Sequence, residues 1–182
     1  MRILKGISYG FLTGIAAMGL FIGANQLLGN EHEVIAGELY RSAQPDAEDI
    51  DSLVRRHGIK TIINLRNEER GDWYAEEKSS ADRHGLTLID YPISSGKILP
   101  VEGSAELAEI MRNAEKPILI HCEHGSNRTG LASAIYVGAV AGGSELLSDL
   151  QLSPYYGHIP IPGIGRYAMW QSWDRFEETI GF

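Results

Sequence analysis

Cys122 is the only cysteine in this 182-residue chain, and Arg128 follows it six positions later. Between them lie Glu123, His124, Gly125, Ser126 and Asn127; His121 precedes and Thr129-Gly130 follows. An apolar run, Pro117-Ile118-Leu119-Ile120, leads in, and a helix-like stretch begins at Leu131. The spacing predicts a strand, a tight glycine-bearing loop and a helix. A loop of this length can curl so that its backbone N–H groups form a nest for an anion. The helix adds its free N–H groups and the positive end of its dipole. Arg128 can grip two phosphate oxygens in a planar fork, which a lysine cannot match. Cys122 then lies beneath the phosphorus, and the same field favours a thiolate. A thiolate facing a bound phosphate is set up for attack and a phosphocysteine intermediate. Thr129 puts a hydroxyl near the sulfur, where it can stabilise the thiolate as a leaving group. His121, Cys122 and His124 are too close together for a tetrahedral metal site and lack a fourth ligand, so no metal or cofactor is expected.

The elements that must position this loop follow from periodicity. Residues 34–42 read as a small strand or hairpin. Asp46 and Asp49 form a variant capping box for a helix carrying Ile50, Leu53 and Val54, stopped at Gly58. Ile59 to Leu65 is a β-branched run and a central strand. Trp73 to His84 reads as an exposed helix, Leu86 to Ile93 as a strand, and Val101 to Ala114 as a helix. Leu131 to Ala141 is an apolar, buried helix; Ser144 can cap a short one, and an amphipathic helix runs from about Arg166 to Glu178. Strands alternating with helices imply an α/β fold with a mainly parallel central sheet flanked by helices. The loop after a strand's carboxyl end is where such sheets hold ligands.

The decapeptide from His121 to Gly130 matches the H-C-x5-R-(S/T)-G signature of the protein tyrosine and dual-specificity phosphatase superfamily. Leu39-Tyr40-Arg41-Ser42-Ala43-Gln44-Pro45, Ile62-Ile63-Asn64-Leu65-Arg66 and Tyr91-Pro92-Ile93 extend the likeness. Together they resemble bacterial dual-specificity-like phosphatases and share landmarks with plant and fungal atypical members. The resemblance covers residues 34–140. It implies a cysteine-phosphatase fold, with Cys122 as nucleophile and Arg128 on the phosphate. Glu123, His124, Gly125, Ser126, Asn127 and Thr129 would line the substrate cradle. It also implies an aspartate general acid about 30 residues before the cysteine, protonating the leaving oxygen. Ser94 and Ser95 stand there instead. Asp90, 32 positions before Cys122, is the first substitute, with Asp72 and Glu102 as others. A leaving group of low pKa needs no strong acid, which favours aryl phosphates or phosphoanhydrides.

Arg2 and Lys5 precede a long uncharged run that ends before Glu31. It is long enough for a bilayer core of about 30 Å. Basic residues before it and Glu31, Glu33 and Glu38 after it place the N-terminus inside. Residues 1–6 are then a cytoplasmic N-terminus, 7–28 a transmembrane anchor or signal sequence, and 29–182 the phosphatase domain. The expectation is a single-pass membrane protein with its catalytic domain outside the cytoplasm. The formal net charge of −8 argues against a nucleic-acid partner. The substrate expected is a phosphorylated protein, or a small molecule such as an inositol phosphate or nucleotide. A phosphate-binding pseudophosphatase is the alternative raised by Ser94 and Ser95. A sulfurtransferase also starts its loop with cysteine, but Arg128-Thr129-Gly130 argues against that.

Overall fold

The computed structural model describes residues 14, 17, 19–67, 70–163 and 166–182. Among these, five strands form one sheet in the order β1-β2-β5-β3-β4. β1 (His32–Ile35) and β2 (Leu39–Ser42) form an antiparallel hairpin. Gly37, at φ 74°, makes the turn. The pairs of β2 with β5 (Ile118–His121), β5 with β3 (Thr61–Asn64), and β3 with β4 (Thr87–Asp90) are all parallel. The sheet is therefore mixed, with its antiparallel member confined to the β1 edge.

Alternation along the inner strands divides the core into two layers. Leu39, Ile63, Ile118 and Ile120 pack with Leu131, Ile135, Tyr136, Trp173 and Phe176. Those partners come from α4 (Asn127–Ile135), the π-helical turn that follows it, and α6 (Tyr167–Ile180). On the other face Tyr40, Ile62 and Leu119 pack with Ile50 and Leu53 of α1 (Ala47–His57) and Ala81 of α2 (Asp72–His84). The first layer also takes in Leu107 and Met111 of α3 (Val101–Asn113). α5 (Glu145–Asp149) is short and capped by Ser144, as its sequence suggests. The capping box of α1 is present in full: Asp49 N–H donates to Asp46 at 2.8 Å and Asp46 N–H to Asp49 at 3.2 Å.

Two expectations are corrected here. α2 is not an exposed helix, because Glu77, Ser80 and Ala81 are buried. The N-terminal membrane anchor is not supported either: among the described residues no helix is long and apolar enough to cross a membrane. Residues 1–6, and residues 7–13, 15, 16 and 18 of the expected span, lie outside the described residues. Residues 19–27 are helical, but their end is tied to the domain by polar contacts. The Asn25 amide donates to the Tyr155 carbonyl at 3.3 Å, and the Gln26 amide donates to Ser126 Oγ at 3.2 Å. Phe21 lies against Tyr155, with ring centroids 5.3 Å apart. Gly29, at φ 78°, then turns the chain toward β1. The membrane placement and the orientation inferred from it fall with the anchor.

Candidate active site

β5 runs buried through the middle of the sheet and delivers Cys122 at its carboxyl end. The loop turns over Gly125, whose φ is 66° and whose added Cβ would stand 2.7 Å from Ser42 O and Ala43 N. Both the left-handed backbone and the contact with the end of β2 demand glycine there. α4 begins at Asn127, so Arg128, Thr129 and Gly130 occupy its first turn. Gly130 also lacks room for a side chain, since a Cβ would meet Gln151 O at 2.9 Å. The first bond of the helix runs from Gly130 N–H to the Ser126 carbonyl at 2.9 Å; the N–H groups of Asn127, Arg128 and Thr129 precede it, which suits them to an anion.

Cys122 is 2% exposed and Arg128 is 4% exposed. The Arg128 guanidinium donates to Asn67 Oδ1 at 2.9 Å and lies 3.8 Å from the Glu123 carboxylate. Thr129 is fully buried, and its hydroxyl has no hydrogen-bond partner among the described residues. Glu123 and His124 are largely open to solvent and form the rim. Ser126 donates to the His124 carbonyl at 3.2 Å, which braces the loop from within.

Beneath the loop lies a second tier that periodicity does not reveal. His121 and Glu77 form a fully buried pair at 2.5 Å. The other Glu77 oxygen accepts from Asn64 at 3.0 Å and Gln44 at 3.4 Å. The segment after β2 is thus joined with β3, β5 and α2 beside the root of the loop. Asn30 donates one amide to the carbonyls of His124 and Tyr156, both at 3.0 Å, and so links the loop to the tail. His158 is buried and bonds Asn127 Oδ1 at 2.8 Å. Burial and then the charge of Arg41 push its pKa down to about 4, so the ring is neutral. Glu77, Asn30, Asn67 and His158 left little trace in the sequence. For Asn64 and Gln44, their place in the family landmarks was the available sign.

The candidate acids Asp90, Asp72 and Glu102 lie outside the loop itself. Asp90 ends β4 in register with Asn64, which is itself in register with His121. Two strand spacings, roughly 10 Å, separate Asp90 from the root of the loop. Its carboxylate accepts from Arg70 at 2.7 Å and from Tyr74 at 2.6 Å. Asp72 and Glu102 are exposed in the first turns of α2 and α3, where they complement the helix dipoles. Ser94 and Ser95 follow the segment in which Tyr91 and Ile93 bond alongside Asn64 and Leu65, at the sheet end that carries the loop. Trp73 stacks under Arg66, 3.7 Å from guanidinium to ring centre. Among the described residues no group of acids, histidines or cysteine could hold a metal ion.

Residues 21–154 match the family described as DSP-PTPase phosphatase fused to NAD+ kinase. Dual specificity protein phosphatase TpbA of Pseudomonas aeruginosa is 30% identical over 105 residues, 57% of this chain and 44% of its own. Inositol diphosphatase SIW14 of Saccharomyces cerevisiae is 34% identical over 101 residues, 53% of this chain and 35% of its own. The matched stretch thus spans less than half the length of these curated relatives. The crystal structure of P. aeruginosa TpbA has the same fold, with a TM-score of 0.62 at 22% identity, covering 85% of this chain and 92% of that one.

Proposed function

We propose, for a chain that belongs to the dual-specificity-type (DSP-PTPase) phosphatase family, that it hydrolyses phosphate monoesters through a phosphocysteine on Cys122. The observation that carries this reading is one short loop that runs from buried Cys122, just after β5, to buried Arg128 in the first turn of α4. In the first step the thiolate attacks phosphorus and the substrate oxygen leaves. In the second, water attacks the phosphocysteine, and the sulfur leaves beside the Thr129 hydroxyl. Arg128 and the N–H groups of residues 123–129 hold the equatorial oxygens in both steps. Metal has no part in this scheme.

The substrate class follows from the acid. Asp90 is engaged by Arg70 and Tyr74, so this reading leaves the leaving group without a strong carboxylic acid. Phosphotyrosine, an aryl ester, then reacts faster than phosphoserine or phosphothreonine. A second reading, a phosphoanhydride such as an inositol diphosphate, is favoured by the same feature and by the activity named for SIW14.

The test compares p-nitrophenyl phosphate, a phosphotyrosine peptide, a phosphoserine peptide and an inositol diphosphate, for wild type and Cys122→Ser, with and without EDTA. EDTA-resistant turnover that vanishes in Cys122→Ser, and falls steeply as the leaving-group pKa rises, is expected. Wild-type-like turnover in Cys122→Ser contradicts the thiolate. Equal rates for aryl and alkyl esters contradict the assignment without an acid, and Asp90→Asn, Asp72→Asn and Glu102→Gln then identify the donor.

A further inference from the structure

Arg41 is fully buried on β2, directly beneath the catalytic loop. One terminal nitrogen donates to the Gly125 carbonyl at 2.9 Å and approaches the Ser126 carbonyl at 3.4 Å. The other donates to the carbonyl and the side-chain oxygen of Gln151, at 3.0 and 3.1 Å. Its guanidinium lies 3.8 Å from the centre of the Tyr156 ring. Every one of these partners is formally neutral. Among the described residues no carboxylate stands within ion-pair distance of it. A buried cation is costly unless an anion compensates it.

Two facts point to the missing anion. Arg41 draws the Gly125 and Ser126 carbonyls down toward itself, and a carbonyl turned away from the cradle leaves the neighbouring N–H groups free to face into it. Burial pushes the Arg41 pKa down to about 10, against the electrostatic pull of neighbouring Tyr156 and Cys122. The other charged or titratable groups around the loop and Arg41 include Arg128 on α4, the His121–Glu77 pair, Glu123 and His124 on the rim, His158 in the tail, and His32 on β1, whose ring lies against Tyr156. Of these, Arg128 is the cation that the phosphatase reading places on the phosphate.

We propose that Arg41 is the second cation of the anion cradle: a positioning residue that turns the loop's carbonyls away from the phosphate and lends it a positive charge from below. This rests on the phosphatase reading, in which the loop holds phosphate. A lysine at this position keeps the charge and three N–H donors, without the planar fork. A glutamine keeps a donor and loses the charge.

Inorganic phosphate binding is measured by calorimetry in the Cys122→Ser background, alone and with Arg41→Gln or Arg41→Lys. KM and kcat for p-nitrophenyl phosphate are measured for the same Arg41 changes with Cys122 intact. Arg41→Gln is expected to weaken phosphate about tenfold or more and to raise KM as well as lower kcat. Arg41→Lys, which keeps the charge that the proposal invokes, is expected to hold phosphate within about threefold of its parent. A folded Arg41→Gln protein with the parent's phosphate affinity overturns the proposal. So does an Arg41→Lys protein weakened about tenfold, and that result decides the matter alone if Arg41→Gln does not fold. If the Cys122→Ser parent itself binds no phosphate, the phosphatase reading has failed first. Binding by the parent with no loss in Arg41→Gln removes Arg41 and leaves the reading standing.

Discussion

Gly125 shows how much one residue can decide at this site. Its left-handed φ and its contact with the carboxyl end of β2 both exclude a Cβ. Gly125→Ala is expected to lower kcat/KM by about 100-fold, with backbone strain on the order of 1–3 kcal/mol. Steady-state kinetics and thermal melting check this together, and an unchanged kcat/KM contradicts the tight fit. Glu77 carries a different kind of constraint. Removing it leaves His121 and Asn64 buried without their carboxylate. Glu77→Ala is expected to destabilise the protein by about 3 kcal/mol, read from denaturant unfolding. Cys122 and Arg128 were legible as a pair because their chemistry demands that spacing within one short loop. Glu77 was not, since its partner His121 lies 44 positions away and a glutamate on a polar helix reads as solvated.

At the scale of elements, the inner strands and most helices were legible because burial imposes a period on the chain. Ile118 and Ile120 face one layer while Leu119 faces the other. The hairpin, the capping box of α1 and the short helix behind Ser144 followed from local signals. Segments without a period gave no such sign. The stretch from Gln151 to His158 is irregular, yet it supplies Gln151 to Arg41, Tyr156 beneath that guanidinium, and His158 to Asn127. Asn30 ties the same stretch to the loop from the other side. Asn30→Ala removes the donor from both carbonyls and is expected to cost about 2 kcal/mol. It should also lower turnover more than it lowers the amount of folded protein; a loss confined to stability means that the tie does not shape the loop.

At the scale of the whole molecule, charge sets a pH dependence. Glu177 on α6 keeps one carboxylate oxygen buried without a partner. Burial, and then Asp149, Glu145, Asp174 and Glu178, push its pKa up to about 7. A carboxyl raised in this way contributes stability below its unfolded value, and that contribution is lost as pH rises through about 7. Glu177→Gln is therefore expected to be more stable than wild type at pH 8, by about 1 kcal/mol after solvent screening, and to show a flatter stability profile from pH 5 to 8. His158 acts at the other end: its lowered pKa means that stability is lost as pH falls from the ordinary histidine range toward about 4. The N-terminal run shows the limit of composition at this scale. Hydropathy counted residues 7–28 as one span, whereas the end of that run is held by Asn25 and Gln26 against Tyr155 and Ser126.

The central claim is that phosphate passes through Cys122. Its most direct test is acid quenching of wild-type protein within the first turnover of p-nitrophenyl phosphate, followed by peptide mass spectrometry. A phosphate on the peptide containing Cys122, absent from Cys122→Ser, is expected. Turnover under the same conditions with Cys122 never phosphorylated contradicts the account.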